Sequence, residues 1–295
     1  MGRPLVLEVH RASAEGLASR LAALQSPGGT FLSRVSLPWG EVEDRNCFVT
    51  ALVVRELHGI AGLDVVTDAR RQALAYLLRS GYPVYRDLYS FYPLRSHPFW
   101  MRSALYPDAD DTAVINLELA RAGLTSTAAL AGVAERYLLR YRATGELGRY
   151  HDRPWHREGA FLTWLTTAPV ANPIDCCVNT NVIALLAVAG LRGEQGYTAA
   201  CEMINDAARR VPRSAGYSRR FTPFYPGPGE WRRALRHAVD VGAAELAPAL
   251  EALEAVPDPS PRAVCCDVTG TVVWRSEALA LARQLRARAL GGEDR

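Results

Sequence analysis

Apolar positions recur every three to four residues along most of this chain, the spacing that lays a continuous stripe down one side of an α-helix. They predict helices over 13–26, 47–60, 65–81, 111–123, 125–143, 177–191, 197–211, 230–243, 243–256 and 276–290. Strict alternation is rare. Only AVCCDVTGTVVW (263–274) reads as strand, with PLVLEVH (4–10) as a weaker second instance. The helices are of two kinds. CFVTALVV, AVINLELA and VIALLAVAGL are apolar nearly all round, as a helix buried on every side must be. Each is followed, after a short Gly-containing connection, by an amphipathic helix. That alternation predicts an all-α fold: one α/α barrel over residues 1–295, its inner helices lining the centre and its outer helices wrapping them. A helical bundle or solenoid is the alternative.

In a barrel of this kind the inner helices run the same way, so the segments entering them gather at one end. Those segments are GEVEDRNCF, YPDADDTA, NPIDCCVN, YPGPGEW and VVWRSEA, the last with Glu277 as its first-turn acid. They hold much of the Asp, Pro, Trp and Tyr, and a functional site is expected among them.

Composition narrows the picture. Hydrophobic residues make up 49% and charged residues 22% of 295, as in an ordinary globular protein. A net charge of +3, with no basic block, argues against nucleic acid as partner. Every basic side chain besides histidine is Arg. The six cysteines include two adjacent pairs but no CxxC, a poor disulfide framework or zinc knuckle. The first residues lack the apolar core of a signal peptide, and no apolar run approaches a membrane span. A cytoplasmic location is the expectation.

The segment 106–113 concentrates the chemistry. Asp108, Asp110 and Asp111 stand at the start of a helix that looks built for burial. The plainer reading is capping: acids in a first turn gain ~0.3–1 kcal/mol each from the helix dipole. The sharper one is that buried carboxyls this close cannot all ionise, so one keeps its proton near neutrality and becomes a Brønsted acid. The letters PDADDTA (107–113) resemble the DxDDTA motif of squalene–hopene cyclases and other class II terpene cyclases. The resemblance implies that Asp110 protonates an alkene or epoxide to begin cationic cyclisation of an isoprenoid or polyene, supported by Asp108 and Asp111. It implies no redox cofactor, and Mg²⁺ only if the substrate carries a diphosphate. Larger members of that family place their cavity between two domains and carry QW repeats. This chain has length for one barrel and shows no such repeats. Its cavity would be closed by its own loops, by a second copy or by a separate partner domain, and peripheral membrane contact stays open.

Around the acids, Asp175 and Asn179 share one face of a helix start and are read as pointing into the barrel mouth, with Asn181 on another face. N-capping is the equal alternative. The stretch 149–165 offers His151, Trp155, His156 and Trp164, and the run 81–107 is the most aromatic in the chain, with Trp100 and Tyr106 just before the acids. An aromatic lid over a carbocation is the functional reading of that run, since a ring face stabilises a cation by ~0.5–2 kcal/mol; a packed loop is the alternative. Tyr225 and Trp231 are further candidate substrate contacts, and Arg219, Arg220, Arg232 and Arg233 could hold a diphosphate. Two rival patterns are weaker. Asp175, Cys177 and His237 mimic the zinc set of a prenyltransferase-like enzyme. A barrel without catalysis, holding an apolar ligand or a partner chain, is the other.

Overall fold

The computed structural model describes residues 14–94, 96–101, 105–144, 153–212, 217–260 and 262–289. The strand expected over 4–10 and His151 lie outside them. The elements are α1 (14–23), β1 (Ser33–Leu37), β2 (Gly40–Asp44), α2 (Cys47–Leu57), α3 (Asp64–Arg79), α4 (Ala109–Arg121) and α5 (Thr127–Arg136), then α6 (Cys176–Val188), α7 (Gln195–Arg209), α8 (Pro228–Asp240), α9 (Ala247–Glu254), β3 (Ala263–Cys266), β4 (Val273–Arg275) and α10 (Glu277–Ala289).

The two kinds of helix separate as their patterns require. Helices α2, α4 and α6 are buried at almost every position, and α10 packs on α2, α2 on α4, α4 on α6 and α6 on α8. The amphipathic α3, α5, α7 and α9 cover this arc from outside. One continuous apolar core runs from Leu17 to Leu285. Between α8 and α10 the arc is joined by charge: Arg283 donates to Glu230 Oε2 at 2.6 Å.

The fold is not all-α. A four-stranded antiparallel sheet in the order β2-β1-β4-β3 packs beside the helices, with Val35 opposite Trp274 and Val42. The segment read as a loop, GEVED, is strand β2. Strand β1 buries Ser33, Val35 and Leu37 and turns Arg34 outward, a period of two hidden by its shortness and its serines. The expected 263–274 strand is two strands joined by a turn at Asp267–Gly270, where Thr269 Oγ1 and the Val272 amide both donate to Asp267. Helix 125–143 stops at Arg136 and passes into a 3₁₀ turn, Leu138–Arg140.

Candidate active site

Three buried helices begin at the same place, each capped by a side chain of the preceding residue. Asn46 accepts from the Val49 amide at 2.7 Å, Asp108 from Asp111 at 2.7 Å, and Asp175 from Cys177 and Val178 at 2.7 and 3.1 Å. The strand-like segment before α4 is pinned on both sides. The Asp108 amide donates to Tyr89 O, the Ala109 amide to Thr163 O, and the Leu165 amide to Pro107 O. The acids are therefore fixed by backbone ladders on the aromatic run and on residues 163–165.

All three carboxyls are buried. Asp110 accepts from Asn181 Nδ2 at 2.7 Å through Oδ1 and from the Tyr225 hydroxyl through Oδ2. Burial holds its pKa above the usual carboxylate range, while these two donors pull the other way. Asp108 and Asp111 lie against one another, the Asp111 amide donating to Asp108 Oδ1. Desolvation first, then the Asp110 charge, pushes Asp108 up to about 7, and desolvation with the Asp108 charge pushes Asp111 well above its ordinary value. Asp111 Oδ1 has no hydrogen-bond partner among the described residues. The expectation that Asp110 keeps its proton because of its acidic neighbours needs amending: dryness raises it, and like-charge repulsion acts on the other two.

The acids open on a cavity of about 550 Å³. Its walls are aromatic: Phe48 of α2, Phe91, Trp100, Trp164, Phe224 and Trp274. Tyr225, Cys265 and Cys266 complete the side facing α4 and the sheet. The rings are held in edge-on and tilted contacts, Phe91 to Trp274 at 5.1 Å and Trp164 to Phe224 at 5.5 Å. Trp274 is anchored by its Nε1, which donates to the buried Asp44 carboxylate at 3.0 Å. Asn172 clamps Trp164 by accepting from its amide at 2.7 Å and donating to its carbonyl at 2.8 Å. An apolar chamber with proton donors at one wall and ring faces on the others suits a hydrocarbon that becomes a cation.

Of the other residues singled out in the sequence, Trp100 and Tyr225 line this chamber. Tyr106 is 42% exposed and outside the lining. Asp175 spends Oδ1 on capping α6 and Oδ2 on the Phe224 amide at 3.1 Å. Asn179 is committed to backbone, accepting from Phe161 N and donating to Phe161 O and Asp175 O. It is Asn181, assigned to another face, that reaches Asp110. Trp155 packs with its ring 4.4 Å from Phe221 and edge-on to His156, and Trp231 is sealed in the core, donating to Thr180 Oγ1 at 3.1 Å. These three stand outside the lining. Arg219 is spent on the carbonyls of Val268 and Thr269, and Arg232 on those of Leu253, Glu254 and Val256. Asp175, Cys177 and His237 do not assemble: among the described residues no group of three or more His, Cys, Asp or Glu is placed to hold a metal ion. The six cysteines are free and buried, and no described helix is long and apolar enough to cross a membrane.

The placement of Asn179 gives a direct expectation. Asn179→Ala should destabilise the fold by about 1–3 kcal/mol through the unpaired Phe161 amide and carbonyl while ligand affinity in the chamber is unchanged. Denaturant unfolding alongside ligand titration reads both. An affinity loss with intact stability would restore Asn179 as a contact.

No protein-family model matches the chain, and no curated protein does. Among solved structures it is similar to the type II terpene cyclase MstE from Scytonema, at 13% identity and a TM-score of 0.44, covering 96% of this chain and 98% of that one. A variant of MstE in complex with its substrate, geranylgeranyl dihydroxybenzoate, aligns at 12% identity and a TM-score of 0.45, with 95% and 96% covered. A protein from Actinoplanes aligns at 15% identity and a TM-score of 0.42, with 95% and 99% covered.

Proposed function

We propose that the chain is an α/α barrel of the class II terpene cyclase type that cyclises an isoprenoid or related polyene by proton transfer from Asp110. The observation that carries this reading is the three-carboxyl cluster, buried at the start of α4 and lining an aromatic chamber. Burial keeps the Asp110 proton in place until an alkene presses against it. Once the proton moves to a terminal alkene carbon, the carboxylate left behind is the form that Asn181 and Tyr225 already stabilise. The positive charge then sits among ring faces, each worth ~0.5–2 kcal/mol to it, and ring closure ends when the cation returns a proton. Atoms balance without a redox partner. Asp108 and Asp111, both raised by burial, limit negative charge beside the acid.

Initiation by protonation leaves an isotopic trace. Incubated in D₂O with a panel of polyprenols and prenylated arenes, the protein should convert at least one into a cyclic isomer carrying a single non-exchangeable deuterium, read by gas chromatography–mass spectrometry. A product without that label would mean initiation by another route. Tight binding without conversion would leave a barrel that only holds an apolar ligand.

A further inference from the structure

Tyr225 and Phe48 form a partition. On their far side lies a second chamber, about 400 Å³ and of opposite character, between the C-terminal half of α2, α8 and α10. Its lining includes five arginines, Arg55, Arg233, Arg236, Arg283 and Arg286, against three carboxylates. Arg283 is tightly paired, at 2.6 Å from Glu230, and Arg236 pairs with Glu254 outside the lining. Arg233 reaches Glu230 at 3.4 Å, Arg286 reaches Glu56 at 3.7 Å, and Arg55 reaches Glu118 at 3.4 Å. A well-made N⁺–H···O⁻ bond is about 2.7–2.9 Å, so these guanidinium groups are loosely held. His237 adds a polar group: its Nε2 lies 3.0 Å from Arg121 Nη1 and 3.3 Å from Glu118 Oε1, and its Nδ1 is buried with no hydrogen-bond partner among the described residues.

An excess of forked donors over acceptors lining one cleft is the chemistry that recognises a multiply charged oxyanion. We propose that this second chamber binds a small phosphate-class anion, free or as an ester, seated on Arg233, Arg236 and Arg286 with Arg55 behind them. Arg55 connects the site to the acid. Its Nη2 donates to Asn181 Oδ1 at 3.2 Å, and Asn181 Nδ2 donates to Asp110. An anion that draws Arg55 toward itself loosens the donor on Asp110, so occupancy is felt at the acid 's hydrogen bonds.

The binding claim stands apart from the cyclase reading and is tested without turnover. Inorganic diphosphate, inorganic phosphate and farnesyl diphosphate are titrated calorimetrically at fixed ionic strength into the wild-type protein, Asp110→Asn, Arg236→Gln and the double variant Arg233→Gln/Arg286→Gln. Saturable binding of inorganic diphosphate is expected for wild type and Asp110→Asn alike. Arg236→Gln alters a side chain paired only outside the chamber, with Glu254, and keeps the fold testable; it should weaken binding by about tenfold, and the double variant by more. Absence of saturable binding to the wild type, or unchanged affinity in Arg236→Gln, overturns the proposal. So does tight binding of farnesyl diphosphate with none of inorganic diphosphate, since the apolar tail would then be the ligand.

Discussion

Replacing Asp110 by Asn should abolish detectable cyclisation, a loss of about 10²–10⁴-fold in kcat, while the melting temperature stays close to that of the wild type. Asn fills the same volume and still accepts from Asn181 or Tyr225 through its carbonyl, so the fold loses little; what disappears is the transferable proton. The structure also names the competitor. Asp111 lines the same chamber, holds its proton firmly and leaves Oδ1 without a partner. The informative comparison is therefore between Asp110→Asn and Asp111→Asn at saturating substrate, with product measured by gas chromatography. If Asp110 is the donor, Asp111→Asn costs only about tenfold, through altered charge beside the acid. Should Asp111→Asn be dead and Asp110→Asn active, the acid is misassigned and the two carboxyls exchange roles.

The second large effect is on stability, with a sign opposite to that of most proteins. Asp108 and Asp175 are each pushed up to about 7 by burial, and Asp110, Asp111 and Asp44 are also raised, against an ordinary value of 3.8. Between about pH 4 and 7 the folded protein keeps protons that the unfolded chain has released, so stability is greatest at the acidic end and falls as pH rises. His237 opposes this. Burial and the nearby Arg55 push it down to about 4, so its contribution is present above 6.5 and lost as pH falls toward 4. Glu118 is buried too, but the His237 hydrogen bond and the Arg55 and Arg121 charges outweigh that and hold it at about 2, outside the window. Several acids against one histidine leave a net change on the order of a few kcal/mol. The melting temperature at pH 5 should exceed that at pH 8 by on the order of 5 °C, and Asp108→Asn should flatten the difference. A profile that is level or rises with pH would show the cluster to be solvated or differently paired.

The inner helices were legible because burial on all sides writes itself as unbroken apolar sequence, and the acids because three carboxylates before such a run have few uses. The same feature concealed the partner of Asp110. Helix α6 is apolar all round, so its letters do not say which side faces the chamber, and the expectation favoured Asn179, whereas its hydrogen bonds to the Phe161 backbone leave Asn181 to meet Asp110. The sheet was hidden for a different reason. Five-residue strands with polar outward faces carry too little periodicity to stand out, and the pairing of Val35 with Trp274 is a relation between distant segments. Trp274 and Phe48, which line the chamber, are not singled out by the letters, because one ends a strand pattern and the other sits in an unbroken apolar helix.

On the proposed reading, that sheet also sets when proton transfer could begin. The bond between Trp274 and Asp44 spans 230 positions, and one wall of the chamber, Cys265 to Trp274, follows the acids by about half the chain. Without that wall the carboxyls would meet water and lose the burial that raises their affinity for protons, so a chain that ends before it would carry the three acids but not their chamber.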